Sequence, residues 1–209
     1  MGGLLSLLRT DPLVFVLLSA SLLGAIALHE YGHALAADLQ GDRLPRAMGR
    51  LTLNPMRHLD PIGTIAIFLI GFGWGKPVEF RTQALSSERF GAAIVALAGP
   101  MMNLLLAVLG ALALLILSPD TQSGTLFLFL RIFIRINVVL AVFNLIPLPP
   151  LDGSRLLTIF LPPNRQNIIF FLDRYGFVIL LAILFFGGFT ILSPIINTVE
   201  GWVLAIAGF

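Results

Sequence analysis

Leu28-His29-Glu30-Tyr31-Gly32-His33-Ala34 sets two imidazoles and a carboxylate in the HExxH pattern, inside a run otherwise built from apolar residues. On a helix His29 and His33 lie four residues apart and share a face, so two neutral imidazoles can approach one metal ion with Glu30 beside them. Glu30 then stands where it can take a proton from a water that the metal activates, the division of labour of zinc peptidases. The same pattern also arises by chance on ordinary surface helices. The setting separates the two readings: histidines and a carboxylate are costly in hydrocarbon unless they serve something, so an intramembrane cluster reads as a functional site.

That the setting is hydrocarbon follows from composition. Of 209 residues 57% are hydrophobic and 11% charged, and the mean hydropathy is +0.96. So little polar surface excludes a soluble globule and fits an integral membrane protein. Cysteine is absent, which excludes disulfides and thiolate chemistry and leaves nitrogen and oxygen as the metal ligands. The net charge of +2 does not point to nucleic acid, because the 13 basic residues are scattered through segments that flank apolar runs and form no basic stripe. Their distribution is better explained by orientation in a bilayer.

The elements that must position the motif can be read in order. Met1-Gly2-Gly3 with Ser6 matches an N-myristoylation signal, which matters only in a eukaryote. A cleavable signal peptide is excluded because the apolar run continues through the metal motif. Pro12 can open a helix reaching about Ala37, a length of about 39 Å that crosses a bilayer and leaves His29 roughly 12 Å from its end. The next stretch, 38–60, carries Arg43, Arg46, Arg50 and Arg57, and the positive-inside rule makes it cytoplasmic. The run from Ile62 to Trp74 is apolar but too short to span and has basic residues on both sides, so a re-entrant segment near residues 62–75 is expected. Backbone freed at Gly71-Phe72-Gly73 could accept an extended peptide as an added strand, while a surface turn or a Gly71/Gly75 packing pair fits the residues nearly as well.

Spanning runs follow from Gly91 to Leu117, with Pro100 and Asn103, and from Thr125 to about Leu148. Asn103 can serve backbone groups freed by Pro100 or bond to a neighbouring helix. The loop from Ser118 to Gly124 has no basic residue and belongs on the far side. Arg131 and Arg135 lie four apart near that side, suited to snorkel or to line a wet cavity. Prolines 147, 149 and 150 predict extended backbone, from which Asp152 emerges before the apolar segment Leu156 to Leu161. Asp152 can cap that segment. If the first and third spans both run inward, it also reaches the side where His29 and His33 lie, and a His, His, Asp set leaves the fourth tetrahedral position of zinc open. Residues 166–189 give a further span, and 190–209, broken by Ser193-Pro194 and Glu200, either span or lie along the interface. His58 can swing toward the metal as a gate, bind a substrate carboxyl, or simply hold its loop.

In combination, HExxH on a membrane helix and the later block from Asn144 to Leu151-Asp152-Gly153 resemble the site-2 protease family of intramembrane zinc metalloproteases. Arg50 to Pro55, Asp60 to Thr64, Gly73 to Val78 and Ala98-Gly99-Pro100 with Asn103 are similar to its compact members without a PDZ domain. The resemblance covers roughly residues 12 to 160. It implies zinc (Zn2+) held by His29, His33 and Asp152, Glu30 as general base and later proton donor, and Asn144 positioning substrate or stabilising the oxyanion. It also makes Gly71-Phe72-Gly73 part of a re-entrant β-loop that holds unwound substrate.

The expectation is therefore an all-α polytopic membrane protein of four to six transmembrane helices, with a re-entrant segment near residues 62–75 and one domain over 1–209. It would hydrolyse peptide bonds in or near the transmembrane helices of other proteins, from a multi-pass position in the cell membrane with its active site toward the cytoplasm. The competing expectation is a non-catalytic zinc-binding scaffold or a metal transporter of the same architecture. A transporter commonly shows repeated halves and polar groups on both sides of the midplane, and the sequence shows neither.

Overall fold

Asp11 and Pro12 start the first long helix, α1 (Pro12–Leu39): the Asp11 side chain accepts from the Val14 N–H at 3.0 Å, and proline's missing N–H falls where a helix leaves donors unpaired. The structure, a computed structural model, describes residues 4–71, 73–117, 124–160 and 166–209. The expectations for Met1-Gly2-Gly3, for Phe72 and for the charge-free loop at 118–123 lie outside the described residues. After α1 come α2 (Pro61–Ile70), α3 (Glu88–Ile116), α4 (Thr125–Asn144), α5 (Gly153–Phe160), α6 (Gln166–Phe185) and α7 (Gly188–Ala205). Helices α1, α3, α4 and α6 are long and apolar enough to cross a membrane, and no strand occurs among the described residues. The chain is an all-α polytopic membrane protein.

Helices α1, α3 and α4 form the centre, and small residues set their approach. A Cβ on Gly32 of α1 would lie 2.8 Å from the Ala98 carbonyl of α3, and Ala25, Ala34, Ala93 and Ala96 are buried nearby in sequence on the two helices. Lipid offers no hydrophobic drive for helices to associate, so close backbone approach through small residues takes over that role. Helix α7 packs on α3 and α4 through Ala107, Ala111, Ile134, Val138, Ile196 and Val203. It runs antiparallel to α4, since Asn197 meets Arg135 while Phe209 meets Phe127.

The re-entrant expectation has a structural basis. Asp60 caps α2 by accepting from the Gly63 N–H at 2.8 Å, and Gly71, at φ 78°, ends it in the left-handed conformation that glycine takes without strain. Ten residues of helix rise about 15 Å, half a bilayer. The chain then folds back along α2 until Gly75 bridges Leu59, so both ends of the excursion meet on one side. A Gly71/Gly75 helix-packing pair is excluded, because one residue caps the helix and the other lies beyond it.

Several boundaries differ from the sequence reading. Helix α1 continues to Leu39, so His29 sits about 15 Å from its end. Helix α4 stops at Asn144, and the proline run is not extended: successive turns close it, with Leu148 N–H donating to Ile146 O at 2.8 Å and Leu151 N–H to Leu148 O at 2.9 Å. Proline excludes continued helix without requiring extension, and tight turns satisfy it equally. Helix α7 runs through Pro194 unbroken and docks on α3 and α4. Arg135 pairs with Asn197 and Glu200 of α7.

Candidate metal centre

The turns after α4 carry the chain back across α1, and this return brings Asp152 to the two imidazoles. Gly153 makes the fold-back possible, since a Cβ there would collide with the carbonyls of Leu145 and Ile146. Asp152 Oδ2 lies 3.0 Å from His29 Nε2 and 3.3 Å from His33 Nε2, and the two Nε2 atoms are 3.0 Å apart. Zinc bonds of about 2.0 Å place tetrahedral ligands about 3.3 Å from one another. The three atoms therefore form one face of such a tetrahedron, and His29, His33 and Asp152 can hold a metal ion together.

Both rings are turned by bonds from α3. His33 Nδ1 donates to the Val95 carbonyl at 2.7 Å, and His29 Nδ1 lies 2.6 Å from Asn103 Oδ1. A proton on each Nδ1 leaves each Nε2 lone pair free for a metal. Gly99 of α3 faces the pair, and a Cβ on it would lie 2.6 Å from His29 Nε2 and closer still to His33 Nε2.

Glu30 lines the same cavity as the three ligands, a space of about 770 Å³ between α1, the segment after α2, the C-terminal end of α4 and α6. Its Oε2 is buried and has no hydrogen-bond partner. Behind it, Arg50 is buried with Nη2 3.9 Å from Glu30 Oε2, and the same nitrogen donates to the Lys76 carbonyl. Burial pulls the Arg50 guanidinium below its ordinary value, against the opposing pull of Glu30 and Glu79. One side chain thus ties the carboxylate to the segment at 73–78.

Asn144 sits on the last turn of α4 and lines the cavity, with Nδ2 donating to Leu140 O at 2.9 Å. Gly71 and Gly73 line its other wall. Beyond the bridge at Gly75 the segment at 76–81 stays outside regular structure, and Trp74 before the bridge and Lys76 after it are both exposed. His58 is not among the lining residues. It is fully buried, bonded through Nε2 to Thr52 O at 2.7 Å, and its carbonyl accepts from Lys76 N–H at 2.7 Å. Burial holds its imidazole below the ordinary value, with the Thr52 carbonyl opposing. In this geometry His58 is shut away from the cavity.

Sequence reasoning passes over three contributors. Asn103 reads as a helix-packing group, and its bond to His29 gives no signal in spacing alone. Arg50 counts in the sequence as part of a basic loop and of a block shared with the family, with nothing to pair it with Glu30. Gly75 reads as a helix-packing glycine, whereas a Cβ there would lie 3.0 Å from Glu30 Oε1.

The profile of Peptidase family M50 matches residues 17–124 and 118–187. The chain is 38% identical over 169 residues to YwhC of Bacillus subtilis, covering 78% of this chain and 77% of that protein. It is 33% identical over 196 residues to Rip2 of Mycolicibacterium smegmatis, covering 88% and 74%, and 33% identical over 199 residues to Rip2 of Mycobacterium tuberculosis H37Rv, covering 92% and 72%. The names of all three relatives provisionally assign them zinc metalloprotease activity. No solved structure matches the chain at a significant level.

Proposed function

The chain belongs to peptidase family M50, the site-2 protease family, and from that premise we propose that it is a zinc-dependent endopeptidase cutting peptide bonds in or near transmembrane helices of other proteins. The observation that carries the proposal is the meeting of His29, His33 and Asp152 beside Glu30, whose buried Oε2 lacks a hydrogen-bond partner. When bound there, zinc supplies Lewis acidity that polarises a carbonyl and acidifies water.

The side chains divide the remaining work. Glu30 accepts the proton of the attacking water and returns it to the leaving amine. The Asn144 amide, on the cavity wall, donates toward the developing alkoxide, where scarce water makes one donor effective. A substrate helix must unwind before its carbonyl is accessible, and the segment at 73–78 offers main-chain groups to such a strand, with Gly71 and Gly73 letting it approach. The apolar length of α1, α3, α4 and α6 supports a centre within the bilayer. The arginines at 43, 46, 50 and 57 favour an open side toward the cytoplasm, in the cell membrane. A scaffold or transporter would have no use for a base in Glu30's position.

The test is cleavage of a generic transmembrane peptide by the purified protein in detergent. Cutting that phenanthroline abolishes, and that Glu30→Gln removes while keeping its zinc, is the expected result. A Glu30→Gln variant that still cuts would overturn the reading.

A further inference from the structure

His29 ends a chain of amides that crosses three helices. Asn103 and Asn137 are both wholly buried, on α3 and α4. Asn103 Nδ2 donates to the Ala25 carbonyl of α1 at 3.2 Å and to Asn137 Oδ1 at 2.9 Å, and Asn137 Nδ2 donates to Phe133 O at 2.9 Å. Backbone carbonyls only accept, so Phe133 O fixes which end of Asn137 is oxygen, and Ala25 O with Asn137 Oδ1 does the same for Asn103. Asn103 Oδ1 is left facing His29 Nδ1 at 2.6 Å, and that nitrogen must carry the proton. With Asn103 turned over, its NH2 would face His29 Nδ1 and drive the proton to Nε2, the atom that points at Asp152 and His33.

We infer that Asn103 and Asn137 are positioning residues that hold His29 in its metal-ligating tautomer, and that this relay makes zinc affinity depend on the docking of α4 against α1 and α3. The inference rests on the reading that His29 is a zinc ligand. Helix α4 thereby acts twice: it leads into the turns that deliver Asp152, and through Asn137 it fixes the first imidazole. A chain in which α4 has not docked lacks the third ligand and keeps only the Ala25 carbonyl to fix the Asn103 amide.

Two properties of the Asn103 amide can be separated. Asn103→Leu removes the acceptor for His29, whereas Asn103→Asp keeps it but loses the donor to Ala25 and Asn137. Zinc affinity is measured on the full chain in detergent by competition with a chromophoric chelator, with the cobalt spectrum as a report on ligand geometry and thermal unfolding of the metal-free protein as a check on folding. Asn103→Leu is expected to bind zinc about 10- to 100-fold more weakly. Asn103→Asp is expected to stay within a few-fold of wild type despite a lower unfolding temperature. Asn137→Leu touches no ligand and is expected to weaken zinc by a smaller factor than Asn103→Leu, with an altered cobalt spectrum. Wild-type affinity in Asn103→Leu or Asn137→Leu, or an equal loss in Asn103→Leu and Asn103→Asp, would overturn the relay. Should Asn103→Leu fail to fold, the contrast between Asn103→Asp and Asn137→Leu decides. Zinc binding without any proteolysis in the wild type would sink the protease reading and leave the relay standing. An active protease whose Asn103→Leu variant keeps full affinity does the reverse.

Discussion

Gly75 packs against Glu30 so closely that a Cβ at position 75 would lie 3.0 Å from the carboxylate Oε1 and 3.1 Å from Cγ, and only 2.8 Å from Ile26 Cγ2. The backbone of the re-entrant segment therefore forms one wall of the carboxylate's slot. Gly75→Ala adds a methyl that the carboxylate must move to accommodate. A displacement well under 1 Å at a general base is expected to lower turnover by about tenfold or more. Zinc content should stay at the wild-type level, because none of the three ligands is touched. Peptide cleavage and metal analysis on the same preparation check this, and unchanged turnover in Gly75→Ala would show that the slot is not what sets Glu30.

Gly99→Ala opposes two effects of different sign. Alanine is the better helix former by about 1 kcal/mol in a helix interior, so local propensity alone favours the variant. The methyl would stand 2.6 Å from His29 Nε2 and closer to His33 Nε2, however, in the space where those nitrogens converge. The expected outcome is a variant with less bound zinc than wild type, whose metal-free stability reflects the cost of displacing the two rings set against the gain in propensity. Thermal unfolding with and without zinc separates the two, and full metal loading in Gly99→Ala would contradict the packing argument.

The two imidazoles are legible in the sequence by their four-residue spacing, whereas Asp152, by itself a helix cap, joins them only through the direction of the spans and the resemblance of its block to the family. Length and hydropathy are likewise enough for the spanning helices, since about 20 apolar residues have few other uses. What surrounds the ligands is not legible. Asn103 and His29 are 74 positions apart and Arg50 and Glu30 are 20 apart, and no local period links such pairs. Gly99 and Gly75 matter for what lies opposite them, which only the packed helices define. The proline run misleads in a physical way, since it excludes helix without choosing between extension and turns. Helix α7 runs through Pro194 because its contacts with α3 and α4 outweigh one missing hydrogen bond.

The loop after α1 should give the protein part of its acid sensitivity. Asp42 is wholly buried and accepts from the Arg81 N–H at 2.5 Å, the Leu44 N–H at 3.0 Å and Arg81 Nη2 at 3.2 Å. Burial alone would raise its carboxyl, but these donors prevail and hold it below the ordinary value. A depressed folded-state pKa contributes stability that is fully present above the unfolded value of about 4 and disappears as pH falls through the folded one. Unfolding temperatures measured from pH 7 to pH 3 should therefore decline at the acid end in wild type. Asp42→Asn should start lower at pH 7 and decline less steeply. Other carboxylates contribute to the wild-type slope, so the difference between the two curves is the quantity to read. Parallel curves would remove Asp42 from the account.

Arg135 lies near the middle of α4, about 15 Å from either end, where a lone charge costs about 2.5–3.5 kcal/mol on insertion scales. Its Nη1 donates to Asn197 Oδ1 at 2.7 Å and to the Glu200 carboxylate, both on α7. Removing Arg135 leaves Glu200 without its cation, and removing Glu200 leaves Arg135 with only the Asn197 amide, whereas removing both charges leaves an apolar contact that continues the α4 and α7 core. Arg135→Leu and Glu200→Leu should each lower the unfolding temperature, and the double variant should lie nearer wild type than the sum of the two losses. A coupling on the order of 1 kcal/mol is expected from such a cycle. Strict additivity would mean that the pair is formed but does not hold α7 in place, and that the apolar residues alone dock the helix.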